Sequence, residues 1–180
     1  DRFLNEQGLD GSGVTLLVAD TYLDTNSTFF HDPNYPNIIY NASMPDHRKI
    51  LYIRASGNEE MSDNEHGTHT SCTISGRALN QSRSISKYNG LAYGSKIAFY
   101  CSKEQGYNNE LIAETVEIVK PQVSSNSWGS DYVGPSNDNS WDKTAFEHPD
   151  TLFVFSGGDD GNNPEKNGFQ TIKSPGSAKN

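Results

Sequence analysis

Short apolar runs alternate with polar, loop-like stretches along this chain, and this alternation constrains the fold more than any other feature. Each run is rich in Val, Ile, Leu and Phe and is flanked by Gly, Asp, Asn or Ser, which is typical of β-strands. Three runs are almost continuously apolar, which favours strands buried on both faces of a parallel sheet. The predicted strands are residues 14–19, 49–54, 96–100, 122–127 and 151–155.

Helical patterns lie between the predicted strands. The segment Asn109–Val119 repeats its apolar residues at helical spacing, either Asn108 or Asn109 serves as its N-cap, and Pro121 ends it. Strands alternating with helices predict an α/β fold, a doubly wound and mostly parallel sheet flanked by helices. Two further helices are predicted, over residues 68–76 and 141–148.

The composition narrows the function classes. A length of 180 residues fits one domain or part of a larger one. The net charge of −9 argues against nucleic acid as a partner, because binding nucleic acid needs clustered Lys and Arg. No apolar stretch approaches the length of a membrane span, and no signal peptide is visible.

Two sequence features bear on the compartment. N-glycosylation sequons begin at Asn26, Asn41 and Asn80, and they favour an extracellular or endomembrane, lysosome-like location. Such triplets also arise by chance in an Asn- and Ser-rich chain. The two cysteines, Cys72 and Cys101, allow either one disulfide or two free thiols.

Four segments with polar or glycine residues fall where predicted strands end or a helix starts. Asp20 ends the first strand, and His66 opens a Gly-Thr-His stretch that leads into a helix. Residues 125–129, Ser-Asn-Ser-Trp-Gly, end the fourth strand, and the Gly-rich residues 156–161 follow the fifth. In doubly wound sheets ligands bind outside the carboxyl ends of the strands, so these segments are expected to meet at one edge.

Each segment is weak evidence when it is taken alone. An aspartate that ends a strand is more often a cap or a turn residue. His66 and His69 are three residues apart and would also fit a metal pair on one helix face. No Glu or Cys stands at a supporting spacing, which argues against a metal site.

Joined in this order, the segments resemble the subtilisin-like serine peptidases, the subtilase family. Residues 11–21 resemble the family's aspartate strand, and residues 66–69 match its histidine motif. Residues 125–129 resemble its substrate-binding strand, and residues 153–161 resemble its oxyanion segment. The resemblance runs from about residue 8 to residue 180, and in detail it is similar to the branch of secreted or endomembrane subtilases with large insertions.

The resemblance implies amide hydrolysis through an acyl-enzyme by an Asp/His/Ser triad. It assigns Asp20 and His66 to that triad, with His66 as the base and Asp20 holding its imidazole ring. It implies no cofactor, but it leaves open whether the protein binds a structural calcium ion. It also implies an extended polypeptide substrate that adds a strand to the protein. The substrate-binding residues assigned in this way are Ser125, Ser127, Trp128, Gly129, Gly157 and Gly158.

Three features depart from the family pattern. Asp159 stands at the oxyanion position, where the family has an asparagine that donates a hydrogen bond, whereas an ionised carboxylate repels the developing charge. Tyr22 stands where the family has glycine, so positive φ at this position would strain the backbone. No serine of this chain stands in the family's Gly-Thr-Ser context, which lies downstream of the point matching Asn180.

We therefore interpret residues 1–180 as the N-terminal portion of one subtilisin-like peptidase domain, with a truncated sheet and a nucleophilic serine beyond the chain. The whole protein is expected to be a serine endopeptidase, and these 180 residues alone are expected to be inactive. Tyr22 and Asp159 motivate a second interpretation, a pseudopeptidase that binds extended peptides without cleaving them. A third interpretation is an unrelated α/β binding or metal-dependent protein in which the histidine motif is accidental.

Overall fold

The chain folds around a five-stranded sheet whose neighbouring strands all pair in parallel. The computed structural model describes residues 3–55, 65–103, 106–130, 135–164 and 171–179. The spatial order of the strands is β2-β3-β1-β4-β5. All five predicted strands are confirmed, with every end within one residue of its predicted position. The strands are β1 (Thr15–Asp20), β2 (Ile50–Arg54), β3 (Lys96–Cys101), β4 (Val123–Asn126) and β5 (Leu152–Phe155).

The helices differ more from their predictions than the strands do. The segment Asn109–Val119 is helical as predicted, and the Asn108 side chain caps it by accepting the amide of Leu111 at 3.1 Å. The predicted helix over residues 68–76 begins two residues earlier, at His66. The last helix begins at Pro135, six residues before its predicted start, because proline suits the first turn of a helix. The helices are α1 (Phe3–Glu6), α2 (His66–Ser75), α3 (Arg83–Ser86), α4 (Asn109–Val119) and α5 (Pro135–Glu147).

Helices cover both faces of the sheet, so the doubly wound α/β architecture is confirmed. Successive residues of a strand point to opposite faces. Val18 of β1 packs in a cluster that Cys72 of α2 covers. Its neighbour Leu17 packs in a second cluster with Ile112 of α4 and Trp141 of α5. The two apolar clusters therefore lie on opposite sides of the sheet.

The segment before β2 is anchored by two buried basic side chains. Lys49 is 1% exposed, and its ammonium group donates hydrogen bonds to the carbonyls of Tyr93 and Ser95. His47 is also buried, and its Nδ1 accepts the amides of Lys49 and Ile50. Burial lowers the pKa of Lys49 to about 7.

One part of the sheet surface is apolar and exposed. Val18 pairs with Ser125, and Ser125 pairs with Val154, so these residues lie on the face that α2 covers at β1. At β5, however, Leu152 is 63% exposed and Val154 is 46% exposed. In the parts of the chain that the structure describes, no helix is both long and apolar enough to cross a membrane.

Candidate active site

The structure brings Asp20 and His66 into direct contact, although they lie 46 residues apart in the sequence. Asp20 is the last residue of β1, and His66 is the first residue of α2. Asp20 Oδ1 lies 2.7 Å from His66 Nδ1; the aspartate side chain is fully buried, and the histidine side chain is 47% exposed. This geometry commits Nδ1 to the carboxylate, so proton exchange with another molecule would run through Nε2.

The Asp20 carboxylate receives hydrogen bonds from two further residues. The amide of Thr21 donates to Oδ1 at 2.7 Å, and the hydroxyl of Thr70 donates to Oδ2 at 3.1 Å. A buried carboxylate needs such donors because water does not reach it. No sequence motif assigned a role to Thr21 or Thr70. The one available signal is that Thr70 stands four residues after His66, which places both on one helix face.

Helix α2 approaches the segment after β1 closely because Gly67 carries no side chain. A Cβ atom at Gly67 would lie 2.5 Å from the carbonyl oxygen of Tyr22, which is too close for any other residue. The amide of Gly67 donates to the hydroxyl of Thr21 at 3.1 Å. The amide of Gly67 lies at the helix start, but it is already used in a hydrogen bond within the protein.

Tyr22 does not adopt positive φ, so the backbone strain that positive φ would cause at this position does not arise. In the parts of the chain that are described, the non-glycine residues with positive φ are Asn41 and Lys120. The carbonyl of Tyr22 accepts the hydroxyl of Thr68 at 3.3 Å, and this contact connects the segment to α2 without a left-handed turn.

Trp128 anchors the segment that follows β4. Its Nε1–H donates to the carbonyl of Ala19 at 3.0 Å, next to Asp20. Its ring stacks on Tyr107 with 4.2 Å between ring centroids. Burial raises the pKa of Tyr107, and the negative charge of Asp20 adds to this shift. Trp128 and Tyr107 therefore form an aromatic contact close to the Asp20–His66 pair.

The polar residues of β4 and of the segment after it have unequal access to a ligand. Ser125 lies inside the sheet, paired with Val18 on one side and Val154 on the other. Its backbone is therefore used within the protein. An added strand would have to pair beyond it, along Ser127 and Gly129.

The segment after β5 lies against Lys173. The amide of Lys173 donates to the carbonyl of Gly157 at 3.2 Å, and its ammonium lies 3.7 Å from an oxygen of Asp160. Gly158 has φ of 93°, a conformation that favours glycine. Asp159 is exposed, and no hydrogen bond or ion pair within the described ranges joins it to the Asp20–His66 pair.

The two cysteines are free thiols, so the disulfide alternative is not adopted. Cys101 is buried and donates to the carbonyl of Thr21 at 2.9 Å. Burial, together with the negative charge of Asp24, raises the pKa of Cys72 to about 11. Within the described residues, no three His, Cys, Asp or Glu side chains lie close enough to hold a metal ion.

A model of the subtilase family matches residues 11–180, nearly the whole chain. The chain belongs to the subtilase family. The family as a whole consists of serine peptidases.

Three proteins of Dictyostelium discoideum are among the relatives of this subtilase. It is 32% identical to the serine protease/ABC transporter B family protein tagD, with 100% of this chain and 10% of that protein aligned. It is 33% identical to tagB, with 88% of this chain and 9% of that protein aligned. It is 30% identical to tagA over 86% of this chain. The subtilase chain thus spans about a tenth of the length of these relatives.

A solved structure shares the fold of this subtilase. PatG macrocyclase in complex with peptide matches with a TM-score of 0.51 and 12% sequence identity. The match covers 96% of this chain and 56% of the macrocyclase chain. At this identity the likeness establishes the common α/β fold and carries nothing on chemistry.

Proposed function

We propose that the protein containing this chain is a serine endopeptidase in which Asp20 and His66 are two members of an Asp/His/Ser triad. The third member, the nucleophilic serine, comes from sequence beyond residue 180. The observation that carries the proposal is the 2.7 Å contact between the buried Asp20 carboxylate and the half-exposed His66 ring. The family match and the names of the relatives, which include serine protease, support it.

The geometry suits general base catalysis. His66 Nε2 takes the proton of the serine hydroxyl as that oxygen attacks the peptide carbonyl, and then returns the proton to the leaving amine. Asp20 accepts the Nδ1–H, which favours the neutral tautomer whose Nε2 acts as the base. It also stabilises the imidazolium that forms after proton transfer. A positioned base of this kind contributes about 10²–10⁴-fold to the rate.

We assign the substrate as an extended polypeptide. Ser127, Trp128 and Gly129 follow β4 at the carboxyl edge, next to the strand that ends at Asp20. Backbone pairing along this segment selects extended chains over folded ones. The names of the relatives join a serine protease to an ABC transporter, and this chain belongs to the peptidase portion of such a protein. The sequons favour an extracellular or endomembrane, lysosome-like location.

Replacement of the two paired residues tests the proposal. His66→Ala and Asp20→Asn, made in the protein that contains this chain, should each lower hydrolysis of an unstructured fluorogenic peptide by about 10⁴-fold or more. His69→Ala is the matched control, because His69 is an exposed histidine three residues along the same helix. It should leave hydrolysis unchanged. Equal losses in His66→Ala and His69→Ala would instead favour a metal pair.

Asp159 favours one alternative function, a pseudopeptidase that binds extended peptides without cleavage. Its exposed carboxylate offers no hydrogen-bond donor where the family places an amide. In that case a wild-type protein without hydrolytic activity would still bind an extended peptide, and His66→Ala would bind it equally well.

A further inference from the structure

The two oxygens of the Asp20 carboxylate are not equally supplied with donors. Oδ1 receives both the Nδ1 contact of His66 and the amide of Thr21. Oδ2 receives a single hydrogen bond from the described residues, which comes from the hydroxyl of Thr70. Because the side chain is fully buried, water would not replace this donor if it were lost.

The Thr70 hydroxyl has one proton and two nearby acceptors. Asp20 Oδ2 and the carbonyl of Gly67 both lie 3.1 Å from Thr70 Oγ1. The Gly67 carbonyl lies inside α2, where the amide four residues further along the helix is its partner. An ionised carboxylate is the stronger acceptor, so the Thr70 hydroxyl donates its hydrogen bond to Asp20 Oδ2.

Helix α2 holds the carboxylate at both of its oxygens. Thr70 stands one helical turn after His66, on the same face. The ring of His66 meets Oδ1, and the hydroxyl of Thr70 meets Oδ2. Branching at the Cβ restricts a helical threonine to two main rotamers, so the hydroxyl of Thr70 has few alternative positions.

We propose that Thr70 is a positioning residue of the peptidase, whose hydroxyl fixes the carboxylate plane of Asp20 so that Oδ1 stays aligned with His66 Nδ1. This inference rests on the proposed function. Without the hydroxyl, the carboxylate plane is held less firmly, and more negative charge stays on the carboxylate that faces the imidazole. Either change disturbs proton transfer at His66 while leaving the substrate-binding segment after β4 untouched.

Thr70→Val tests this role, because it removes the hydroxyl and keeps the branched shape. We expect kcat to fall about tenfold, the lower range for a hydrogen bond to a charged group, with KM unchanged. The acid limb of the kcat/KM profile should move to higher pH, since a carboxylate with fewer donors stabilises the imidazolium more. Thr70→Ser restores the hydroxyl and should recover kcat to within about twofold of the wild type.

Thr73→Val is the matched control. Thr73 lies on the same helix, and its hydroxyl donates to the carbonyl of His69 at 3.0 Å, away from Asp20. It should keep the wild-type profile. If Thr70→Val does not fold, the comparison of Thr70→Ala with Thr70→Ser tests the role of the hydroxyl in its place. A His66→Ala protein that stays active overturns the proposed function. An inactive His66→Ala protein, with a Thr70→Val profile equal to that of Thr73→Val, overturns the role of Thr70 alone.

Discussion

Asp20 is buried and His66 is half exposed to solvent, and this difference fits the catalytic roles proposed for them. Asp20 is removed from water and is compensated by donors from His66, Thr21 and Thr70. Its charge and orientation are therefore set by the protein alone. His66 is half exposed, so its outer nitrogen can reach a second molecule. A residue pair that passes a proton to a substrate needs one fixed partner and one accessible partner.

Asp159 is the residue for which a substitution should improve the enzyme. An amide at this position donates to the oxyanion that forms during acyl transfer, and the loss of one such donor costs about 10²–10³-fold in turnover. Asp159→Asn should therefore raise kcat and leave KM largely unchanged. The measurement is steady-state hydrolysis of the fluorogenic peptide at neutral pH. A fall in kcat would show that the carboxylate of Asp159 has a role of its own and is not simply a side chain that lacks a hydrogen-bond donor.

Single residues differed in how far the sequence revealed their contacts. The contact between Asp20 and His66 was predictable because each residue stands in a motif at the boundary of an element. The φ of Tyr22 was not predictable, because it depends on how the chain passes α2, which no local pattern encodes. Thr70 was missed because its role needs the contact with Asp20, 50 residues earlier in the chain.

At the scale of elements, the site depends on how the segments around the sheet are anchored. Lys49 connects the start of β2 to the turn before β3 through the carbonyls of Tyr93 and Ser95. A fully buried ammonium group is costly, and two carbonyl partners compensate it only in part. This accounts for the lowering of the Lys49 pKa to about 7.

The Lys49 anchor predicts a pH dependence of stability. The folded-state pKa of about 7 lies below the value of about 10.4 for an unfolded lysine. Between these values the unfolded state binds more protons, so the contribution of Lys49 to the free energy of unfolding rises with pH. Below pH 7 both states are protonated and the contribution is flat. Lys49→Met should remove a slope that approaches about 1.4 kcal/mol per pH unit.

Urea unfolding of wild-type and Lys49→Met proteins between pH 7 and about pH 9 measures this slope. Lys143→Met is the control, since Lys143 is exposed at the surface of α5. It should keep the wild-type slope. Identical slopes in the wild type and Lys49→Met would show that Lys49 keeps an ordinary proton affinity in the folded state.

The elements themselves were largely predictable from the sequence. Helix α4 was placed correctly because Asn108 caps it and its apolar face repeats at helical spacing. The start of α5 was not predicted, because the residues that follow Pro135 are polar and show no apolar repeat at helical spacing. The short helices α1 and α3 have four residues each, too few for a periodic pattern to identify.

At the scale of the whole molecule, the sheet is covered unevenly. The face that α2 covers at β1 is exposed at β5, where Leu152 and Val154 are open to solvent. The doubly wound, parallel α/β architecture was predicted from the sequence, because strands that alternate with helices admit few topologies. The chain spans about a tenth of the length of the tagD and tagB proteins of Dictyostelium discoideum.

Labelling with a serine-directed fluorophosphonate distinguishes a triad peptidase from a pseudopeptidase. The native protein that contains this chain is labelled, digested and mapped by mass spectrometry, beside its His66→Ala and Thr73→Val variants. An Asp/His/Ser triad predicts one adduct on a serine beyond residue 180 in the wild type and in Thr73→Val, and none in His66→Ala. An adduct on a serine within these 180 residues, or equal labelling of His66→Ala, would contradict it.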